Sequence, residues 1–345
     1  MGDAAGIGPE IIAKALGFRQ VFDSCSPVVI GDRRIMEDIL KKIGADMKIR
    51  SAVDLRRDTY QFGQMNIFDL HNIGRADIEY GRVNAELGRA AGEYIEKAVR
   101  LAQEGTIDAI VTAPINKESF FAGGYGKKYS GHTEMLAGLT GAKNVKMLLV
   151  SGNLRVIHVS THVSLRKALD EVKEIRIYRT ILTASKACFQ LGIENPRIAV
   201  SGLNPHGGEG GIMGDEEIME IGPAIDRAAA EGLNVVGPLP ADTIFPRGLA
   251  GDFDMIVAMY HDQGHIPVKL LGFQWQDSGW SSIRGVNITI GLPIIRTSVD
   301  HGTAFGKAGK GEADATSLLE AIEYAVRLSK NRDKKTAGDG GETDK

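Results

Sequence analysis

Residues 198–208 read IAVSGLNPHGG, and this stretch decides the fold class. Its apolar run, Ile198–Gly202, is typical of a buried strand and ends directly in a polar loop that carries His206. The same order occurs at Val156–Ser160 before His162 and at Met255–Met259 before His261. Because ligands bind outside the carboxyl ends of the strands in an open α/β sheet, these loops are expected to form a site.

Strand-like and helix-like segments alternate along the chain, which is the pattern of an α/β fold. The predicted strands are short and rich in Val and Ile: Pro27–Gly31, Asn66–Leu70, Ala109–Ala113, Met147–Val150, Leu154–Ser160, Ile198–Gly202, Met255–Tyr260 and Val286–Ile290. The predicted helices are Asn84–Glu104, Ser164–Gly192, Asp215–Glu231 with a break at Gly222-Pro223, and Ala315–Leu328. Lys146–Ser160 is predicted to form an antiparallel hairpin.

The composition favours a globular protein of the cytoplasm. The 345 residues are enough for two domains or one large one, and 43% apolar residues can form a sizeable core. A net charge of −3 argues against nucleic-acid binding, and no apolar run approaches the roughly 20 residues that span a bilayer. Cys25 and Cys188 fit no metal or redox spacing, and no secretion signal is present, so free thiols in a cytoplasmic protein are predicted.

The three histidines are candidate ligands of one metal ion. Neutral imidazole is a common ligand of zinc and similar divalent ions, and three of them leave a coordination position open for substrate. Asp262, next to His261, is a candidate for orienting that imidazole. Each histidine alone is more often an ordinary loop residue, and only their shared position after a strand favours the metal site.

The segment Ser130–Glu134 is a candidate anion site. It precedes an apolar helical segment, so His132 and Thr133 would lie at a helix N-terminus that can bind an oxyanion. The alternative is that Ser130 or Thr133 only caps the helix.

Lys269, Asn287 and Arg296 form a second set of donors, because each is embedded in apolar sequence. A buried charge needs a partner there. That partner is either a bound phosphate or carboxylate, or an acidic side chain of the chain itself.

Two glycine-rich loops carry weaker signals. Asp300–Gly311 contains small residues that permit the close approach of an adenine or a ribose. Met1–Glu10 reads as a glycine loop that opens a helix at Pro9, and a strand is expected before such a loop. Neither loop has the three spaced glycines of the dinucleotide-binding fingerprint.

Taken together, the motifs resemble the 4-hydroxythreonine-4-phosphate dehydrogenase family, PdxA. The resemblance extends over nearly the whole chain, to about Leu328. The motifs that carry it are Gly2–Glu10, Gly131–Glu134, Gly202–Gly211, Met259–Gly264, Val286–Pro293 and Arg296–Ala304.

The resemblance implies a non-Rossmann α/β fold with two lobes, similar to isocitrate and isopropylmalate dehydrogenases. The active site would lie in the cleft between the lobes, and a homodimer would share its two sites. The implied lobes are 1–126 with 270–328 on the dinucleotide side, and 127–269 on the metal and dimer side. Residues 329–345 are predicted to be a disordered tail.

The resemblance also assigns roles to residues. The metal ligands would be His162, His206 and His261, for Zn, Mg, Mn or Co. The substrate-binding residues would be His132, Thr133, Lys269, Asn287 and Arg296. Gly302, Thr303, Ala304 and Gly309 would bind the dinucleotide, which is NAD, with NADP as the alternative. Lys269, Asp262 and Asp242 are the candidate catalytic residues.

Two departures from the vitamin B6 type of the family are predicted to matter. Gln274–Ser282 is inserted between the substrate-binding positions 269 and 287, and His265-Ile266-Pro267 replaces a shorter sequence. Both features resemble a paralogous branch that acts on 4-phospho-D-threonate or 4-phospho-D-erythronate. The insertion could change how the C2 substituent is recognised, which is a hydroxyl in that branch and an amine in the vitamin B6 type.

The activity implied is oxidation at C3 by hydride transfer to NAD, followed by decarboxylation to dihydroxyacetone phosphate and CO2. The metal would assist both steps. The first alternative is the 4-hydroxythreonine-4-phosphate dehydrogenase of pyridoxal phosphate biosynthesis. A metal-dependent aldolase or isomerase of phosphosugars is the alternative from another enzyme class.

Overall fold

The computed structural model describes residues 1–74, 78–276 and 279–339, and its contacts divide the chain into two units. Unit 1 comprises residues 1–145 and 292–329, and unit 2 comprises residues 146–291 and the chain from Lys330 onward. Within the described residues, no helix is both long enough and apolar enough to cross a membrane.

The helices and strands follow one another along the whole chain. The helices are α1 (Gly8–Ala15), α2 (Arg19–Ser24), α3 (Arg33–Ile43), α4 (Ala85–Gln103), α5 (Lys117–Ala122), α6 (His132–Thr140), α7 (Leu165–Asp170), α8 (Glu174–Gln190), α9 (Gly222–Ala230), α10 (Ala241–Ala250), α11 (His261–Gly272) and α12 (Thr316–Asp339). The strands are β1 (Val28–Gly31), β2 (Lys48–Ser51), β3 (Gln64–Asp69), β4 (Ala109–Thr112), β5 (Lys146–Ser151), β6 (Leu154–His158), β7 (Ile198–Ser201), β8 (Val235–Leu239), β9 (Met255–Ala258), β10 (Phe273–Gln276), β11 (Gly279–Ile283), β12 (Val286–Ile290) and β13 (Ile295–Val299).

Unit 1 contains two groups of parallel strands. One is a three-stranded sheet in the order β1-β3-β2, and the other is the pair β4-β13.

Helix α4 shows how the sequence determines where a helix begins and ends. The Asn84 side chain accepts hydrogen bonds from the N–H groups of Glu86 and Leu87, a cap that stabilises a helix by about 1 kcal/mol. The helix ends before Gly105, whose φ of 64° lies in the left-handed region that favours glycine.

Helix α6 belongs to unit 1, although residues 127–145 were predicted to lie in the central lobe. Met135 and Leu136 of α6 are fully buried in one apolar cluster with Leu87 and Ile95 of α4. This packing places the division after Val145 rather than after residue 126.

Unit 2 arranges its strands in the order β12-β5-β6-β9-β7-β8. Strands β5 and β6 form the antiparallel hairpin predicted at Lys146–Ser160, and β6, β9, β7 and β8 run parallel. The three candidate metal histidines therefore follow β6, β9 and β7, which are neighbours in the sheet. Their positions agree with the predicted site at the carboxyl ends of parallel strands.

The second boundary also differs from the predicted one. Strand β12 pairs antiparallel with β5, with Asn287 opposite Leu149, so residues 270–291 join unit 2 rather than unit 1. At the end of the chain, α12 continues to Asp339, past the predicted helix end at Leu328. Residues 329–339 are therefore helical instead of disordered, and the rest of the predicted tail, 340–345, lies outside the described residues.

Candidate active site

His162 and His261 lie close together in unit 2. His162 follows β6, and His261 is the first residue of α11, directly after β9. Their ring centroids are 5.9 Å apart. Two imidazoles that bind one tetrahedral ion at about 2.1 Å place their centroids roughly 5 to 6 Å apart, so this pair has a spacing that one ion can bridge.

Asp262 determines which nitrogen of His261 is available. The Nδ1 atom of His261 lies 2.6 Å from Oδ1 of Asp262. An ionised carboxylate only accepts hydrogen bonds, so Nδ1–H donates and Nε2 keeps its lone pair for a metal. A carboxylate on the far nitrogen is the usual support of a metal-binding histidine, and the donor chemistry therefore fits a divalent ion.

His206 does not complete a converging three-ligand group with this pair in the described residues of one chain. It lies in the loop Pro205–Gly211 with a left-handed φ of 55°, is largely exposed, and its Nδ1 is 3.7 Å from Oε1 of Glu209. Among the described residues, the one group of three metal-binding side chains with all ligand atoms within 4.8 Å is Asp32, Asp69 and His71. The three predicted ligands thus do not form such a group in a single chain.

The Asp32 group has other partners. Asp32 is paired with Arg34 at 3.0 Å, and Asp69 accepts hydrogen bonds from the backbone N–H groups of Arg33 and His71. Burial acts to raise the pKa of Asp32, but Arg34 outweighs it and the pKa is lowered. This group therefore fits a helix cap and an ion pair.

A buried carboxylate shapes the loop that carries His206. The Oε1 atom of Glu217 accepts hydrogen bonds from the N–H groups of Leu203 and Asn204, both at 2.7 Å, and its Oε2 accepts one from the Asn204 side chain at 2.8 Å. Burial would raise the pKa of Glu217, but the hydrogen bonds from Asn204 and Leu203 outweigh it and hold the pKa below its ordinary value. The motif analysis did not identify this residue.

Gln263 connects the loops of two candidate ligands. Its side-chain N–H donates to the carbonyl oxygen of Gly202 at 2.8 Å, and its Oε1 accepts from the N–H of Met259 at 2.7 Å. Gly202 precedes the His206 loop, and Met259 precedes His261. The buried amide therefore fixes the ends of β7 and β9 relative to each other.

Two further histidines complete a cluster that the motif analysis missed. His265 stacks on His261 with ring centroids 3.5 Å apart, and His158 lies 4.7 Å from His265. Burial, and then the nearby His261, lower the pKa of His265 to about 4, and burial also lowers the pKa of His158 far below its usual range. The spacing of four residues between His261 and His265 could have revealed one helix face.

The other residues of unit 2 that were predicted to act in catalysis or substrate binding lie on three different elements. Lys269 follows His265 by one turn on α11, with its Nζ 4.6 Å from the ring centroid of Phe273. Asn287 lies in β12. Asp242 is exposed in the first turn of α10 and has no hydrogen bond or ion pair to any described residue.

In unit 1, Arg296 is the second residue of β13, and His132 is the first residue of α6. Arg296 is buried and donates from Nη2 to Oγ1 of Thr112 at 2.8 Å. Burial lowers the pKa of Arg296 to about 10, so the guanidinium is still charged at neutral pH. Burial, followed by the charge of Arg296, lowers the pKa of His132 well below its usual range. The neutral imidazole of His132 can donate a hydrogen bond, and the guanidinium of Arg296 supplies a positive charge. Both properties favour the binding of an anion.

Helix α6 presents its start at the same place. Its N-cap is Gly131, and no side chain caps it, so the alternative in which Ser130 or Thr133 acts as the cap is not observed. Thr133 is the second residue of the helix. The first N–H groups of α6 are oriented as in helix ends that bind oxyanions.

The predicted dinucleotide loop packs against the N-terminal glycine loop of unit 1. The carbonyl oxygen of Thr303 accepts from the N–H of Ile7 at 3.0 Å. A side chain on Gly309, whose φ is 72°, would begin 2.7 Å from the Tyr80 ring. Glu10 accepts from the N–H groups of Gly311 and Ala313. The loop that contains Gly302, Thr303, Ala304 and Gly309 is thus held by the backbone of Ile7 and by the side chain of Glu10.

Comparison with known proteins agrees with the family resemblance. The family described as "Pyridoxal phosphate biosynthetic protein PdxA" matches residues 23–325. The D-threonate 4-phosphate dehydrogenase of Cupriavidus necator is 49% identical over 333 residues, which are 96% of each chain.

Solved structures give the same result. A 4-hydroxythreonine-4-phosphate dehydrogenase from Burkholderia phymatum is 49% identical, with a TM-score of 0.80 over 95% of this chain and 96% of the other. The Klebsiella pneumoniae enzyme of that name is 42% identical, with a TM-score of 0.83 over 95% and 98%. The predicted α/β fold class and the family resemblance are therefore confirmed, and the relatives are named as dehydrogenases.

Proposed function

The chain belongs to the PdxA family, and from this premise we propose that it is a nicotinamide-dependent dehydrogenase of a 4-phosphorylated four-carbon acid. The favoured substrates are 4-phospho-D-threonate and 4-phospho-D-erythronate. Oxidation at C3 gives a β-keto acid, and loss of CO2 then gives dihydroxyacetone phosphate. The observation that carries the proposal is the His162–His261 pair with Asp262, found in a chain 49% identical to a named D-threonate 4-phosphate dehydrogenase.

Unit 1 supplies the anion-binding residues in this proposal. Arg296 and the N-terminus of α6, with His132 and Thr133, would bind a phosphate or carboxylate group. A buried cation beside a helix N-terminus stabilises an anion more than a surface lysine does, because neither is screened by bulk water. Lys269 and Asn287 of unit 2 remain proposed substrate ligands.

His162, His206 and His261 would hold a divalent ion such as Zn, Mg, Mn or Co. When bound, the ion would supply Lewis-acid polarisation of the substrate hydroxyl and carboxylate. Since the three histidines do not form a converging group among the described residues of one chain, we propose that a second copy in a homodimer supplies His206.

The proposed catalytic residues have distinct tasks. Asp262 orients His261 through the 2.6 Å hydrogen bond. Because its carboxylate already accepts this hydrogen bond, it is poorly placed to take a proton from the substrate. Lys269, on the same helix face as His261 and His265, is the favoured group for proton transfer. Asp242 stays a candidate from the motif resemblance alone. Gly302, Thr303, Ala304 and Gly309 would face the adenosine part of NAD, with NADP as the alternative.

The substrate is tested by a direct comparison. The purified protein is supplied with NAD, a divalent ion and, in turn, 4-phospho-D-threonate, 4-phospho-D-erythronate and 4-hydroxythreonine-4-phosphate, and NADH absorbance is followed. The proposal expects the highest kcat/KM with one of the two sugar acids and dihydroxyacetone phosphate as a product. A preference for the amino substrate would select the second candidate, which the names of the solved relatives favour. Turnover of a phosphosugar without NADH would indicate an aldolase or isomerase instead.

A further inference from the structure

We infer that His265, supported by His158, is a positioning residue that holds the His261 imidazole in the orientation needed for metal binding. The inference rests on the proposed function, since it takes His261 as a metal ligand. Neither His158 nor His265 was assigned a role by the motifs of the family.

Two contacts join His265 to His261. The rings are nearly parallel, with an angle of 12° between their planes and 3.5 Å between centroids. The Nδ1–H of His265 donates to the carbonyl oxygen of His261 at 2.9 Å. The stack restricts tilting of the His261 ring, and Asp262 restricts its rotation in the ring plane. Together they fix the direction of Nε2, the nitrogen left for the metal.

His158 lies behind this stack. Its residue is 1% exposed, and neither ring nitrogen has a hydrogen-bond partner of good geometry among the described residues. A buried polar group without a partner costs free energy that a leucine in the same space would not. The backbone is also arranged around this ring, because a side chain on Gly264 would begin 2.3 Å from Nε2 of His158.

The strand that carries His158 is fixed at the same place. The Nζ of Lys146 donates to the carbonyl oxygens of His158 and Val159, at 3.3 and 2.9 Å. His158 is therefore held by its backbone while its ring contacts His265. A buried imidazole at this position is explained if it supports His265, and His265 begins the segment that departs from the vitamin B6 type.

The test uses Co2+ binding by the full chain, measured by calorimetry and by the visible absorption of the bound ion. His265→Leu removes the stack and the hydrogen bond, His265→Phe keeps only the stack, and His265→Asn keeps only the donor. His158→Leu removes the support. Phe189→Leu is the matched control, because it changes an exposed aromatic side chain of α8 in the same unit. Circular dichroism and sedimentation verify that each variant is folded and assembled like the unchanged protein.

The inference expects His265→Leu to bind Co2+ at least about tenfold more weakly with an altered absorption spectrum, as loss of an outer support of a metal ligand does. His265→Phe, His265→Asn and His158→Leu should lie between it and the unchanged protein, and Phe189→Leu should match the unchanged protein. Unchanged affinity and spectrum in all His265 variants that fold would overturn the inference. If the unchanged protein itself binds no Co2+, the proposed metal set fails instead, which is a separate result.

Discussion

The carboxylate of Asp262 sets the tautomer of His261, because it can only accept a hydrogen bond at Nδ1. Asp262→Ala removes the acceptor and lets the ring turn. We expect metal affinity to fall about 10- to 100-fold, by calorimetric titration with Zn2+ or Co2+. Asp262→Asn keeps an oxygen acceptor and should recover part of the loss. Asp252→Ala is the control, because Asp252 only pairs with Arg247 at the surface of the same unit. Equal affinities of Asp262→Ala and the control would contradict the prediction.

Arg296 offers a second test at this scale. Arg296→Lys keeps a positive charge but loses the planar fork that binds two oxygens at once. Since a hydrogen bond to a charged group contributes roughly 1.5 to 3 kcal/mol, we expect the KM for the phosphorylated substrate to rise at least about tenfold. Steady-state kinetics measures this, with Arg100→Lys on the exposed face of α4 as control. An unchanged KM would remove Arg296 from the proposed anion site.

Single residues were predictable from sequence where their chemistry coincides with a local pattern. His162, His261 and Asp262 follow apolar runs, and the structure brings them together. His158, His265, Gln263 and Glu217 were missed, because a buried polar residue inside an element has no local signature. Their importance depends on which distant backbone group or ring they meet.

Glu217 gives a prediction for the loop that begins at Leu203. Glu217→Gln loses the charge that accepts three hydrogen bonds from Leu203 and Asn204, so the midpoint of thermal unfolding should fall at pH 7. Because the folded-state pKa of Glu217 is lowered, its stabilising effect is fully present above the ordinary value of 4.5 and is lost as the pH falls through the lower, folded-state pKa. The difference between the two proteins should therefore shrink on acidification.

Calorimetric scans at several pH values measure this effect. Glu194→Gln is the matched control, because Glu194 is exposed in the same unit and has no partner among the described residues. A difference that stays constant or grows toward low pH would show that the charge of Glu217 does not support the loop.

Elements were predicted well where period and caps agree, as in α4 and the β5-β6 hairpin. They were missed where a proline or charged residue hides the pattern. Strand β8 contains Gly237-Pro238 and lies at the end of the unit 2 strand order, where a strand tolerates proline. Helices α10 and α11 contain Pro246 and Pro267, and the sequence therefore placed His261 in a loop rather than at a helix start.

At the scale of the molecule, the sequence predicted the division into two parts but placed both boundaries too early. Sequence motifs identify candidate site residues but do not show where one unit ends. The packing of α6 and the pairing of β12 decide which unit each segment joins. Both depend on contacts between residues far apart in the chain.

The proposed shared site gives a prediction for mixed assemblies. His206→Ala and His261→Ala should each be inactive alone. If His206 comes from the second copy, a mixed dimer has one site with all three ligands and one site that lacks two. Random mixing makes about half of the dimers mixed, so about one quarter of the original activity should return after the two variants are unfolded and refolded together. Mixing of His162→Ala with His261→Ala is the control and should restore nothing, since these two side chains lie together in one chain. No recovery in the first mixture would show that the ligands do not come from different copies.

Unit 1 is built from two separated stretches of chain, and this affects the order of events on the ribosome. Strand β4 has β13 as its parallel partner, and the Glu10 carboxylate accepts from Gly311 and Ala313. The 146 residues from 146 to 291 are synthesised in between, which takes roughly 7 to 30 s at about 5 to 20 residues per second. Residues 146–291 can therefore pair their strands as soon as they are synthesised. Residues 1–145 remain incompletely packed until residues 292–313 are also synthesised, with apolar surface exposed. Chaperone binding to nascent chains should therefore peak before residue 292 emerges and decline after residue 313.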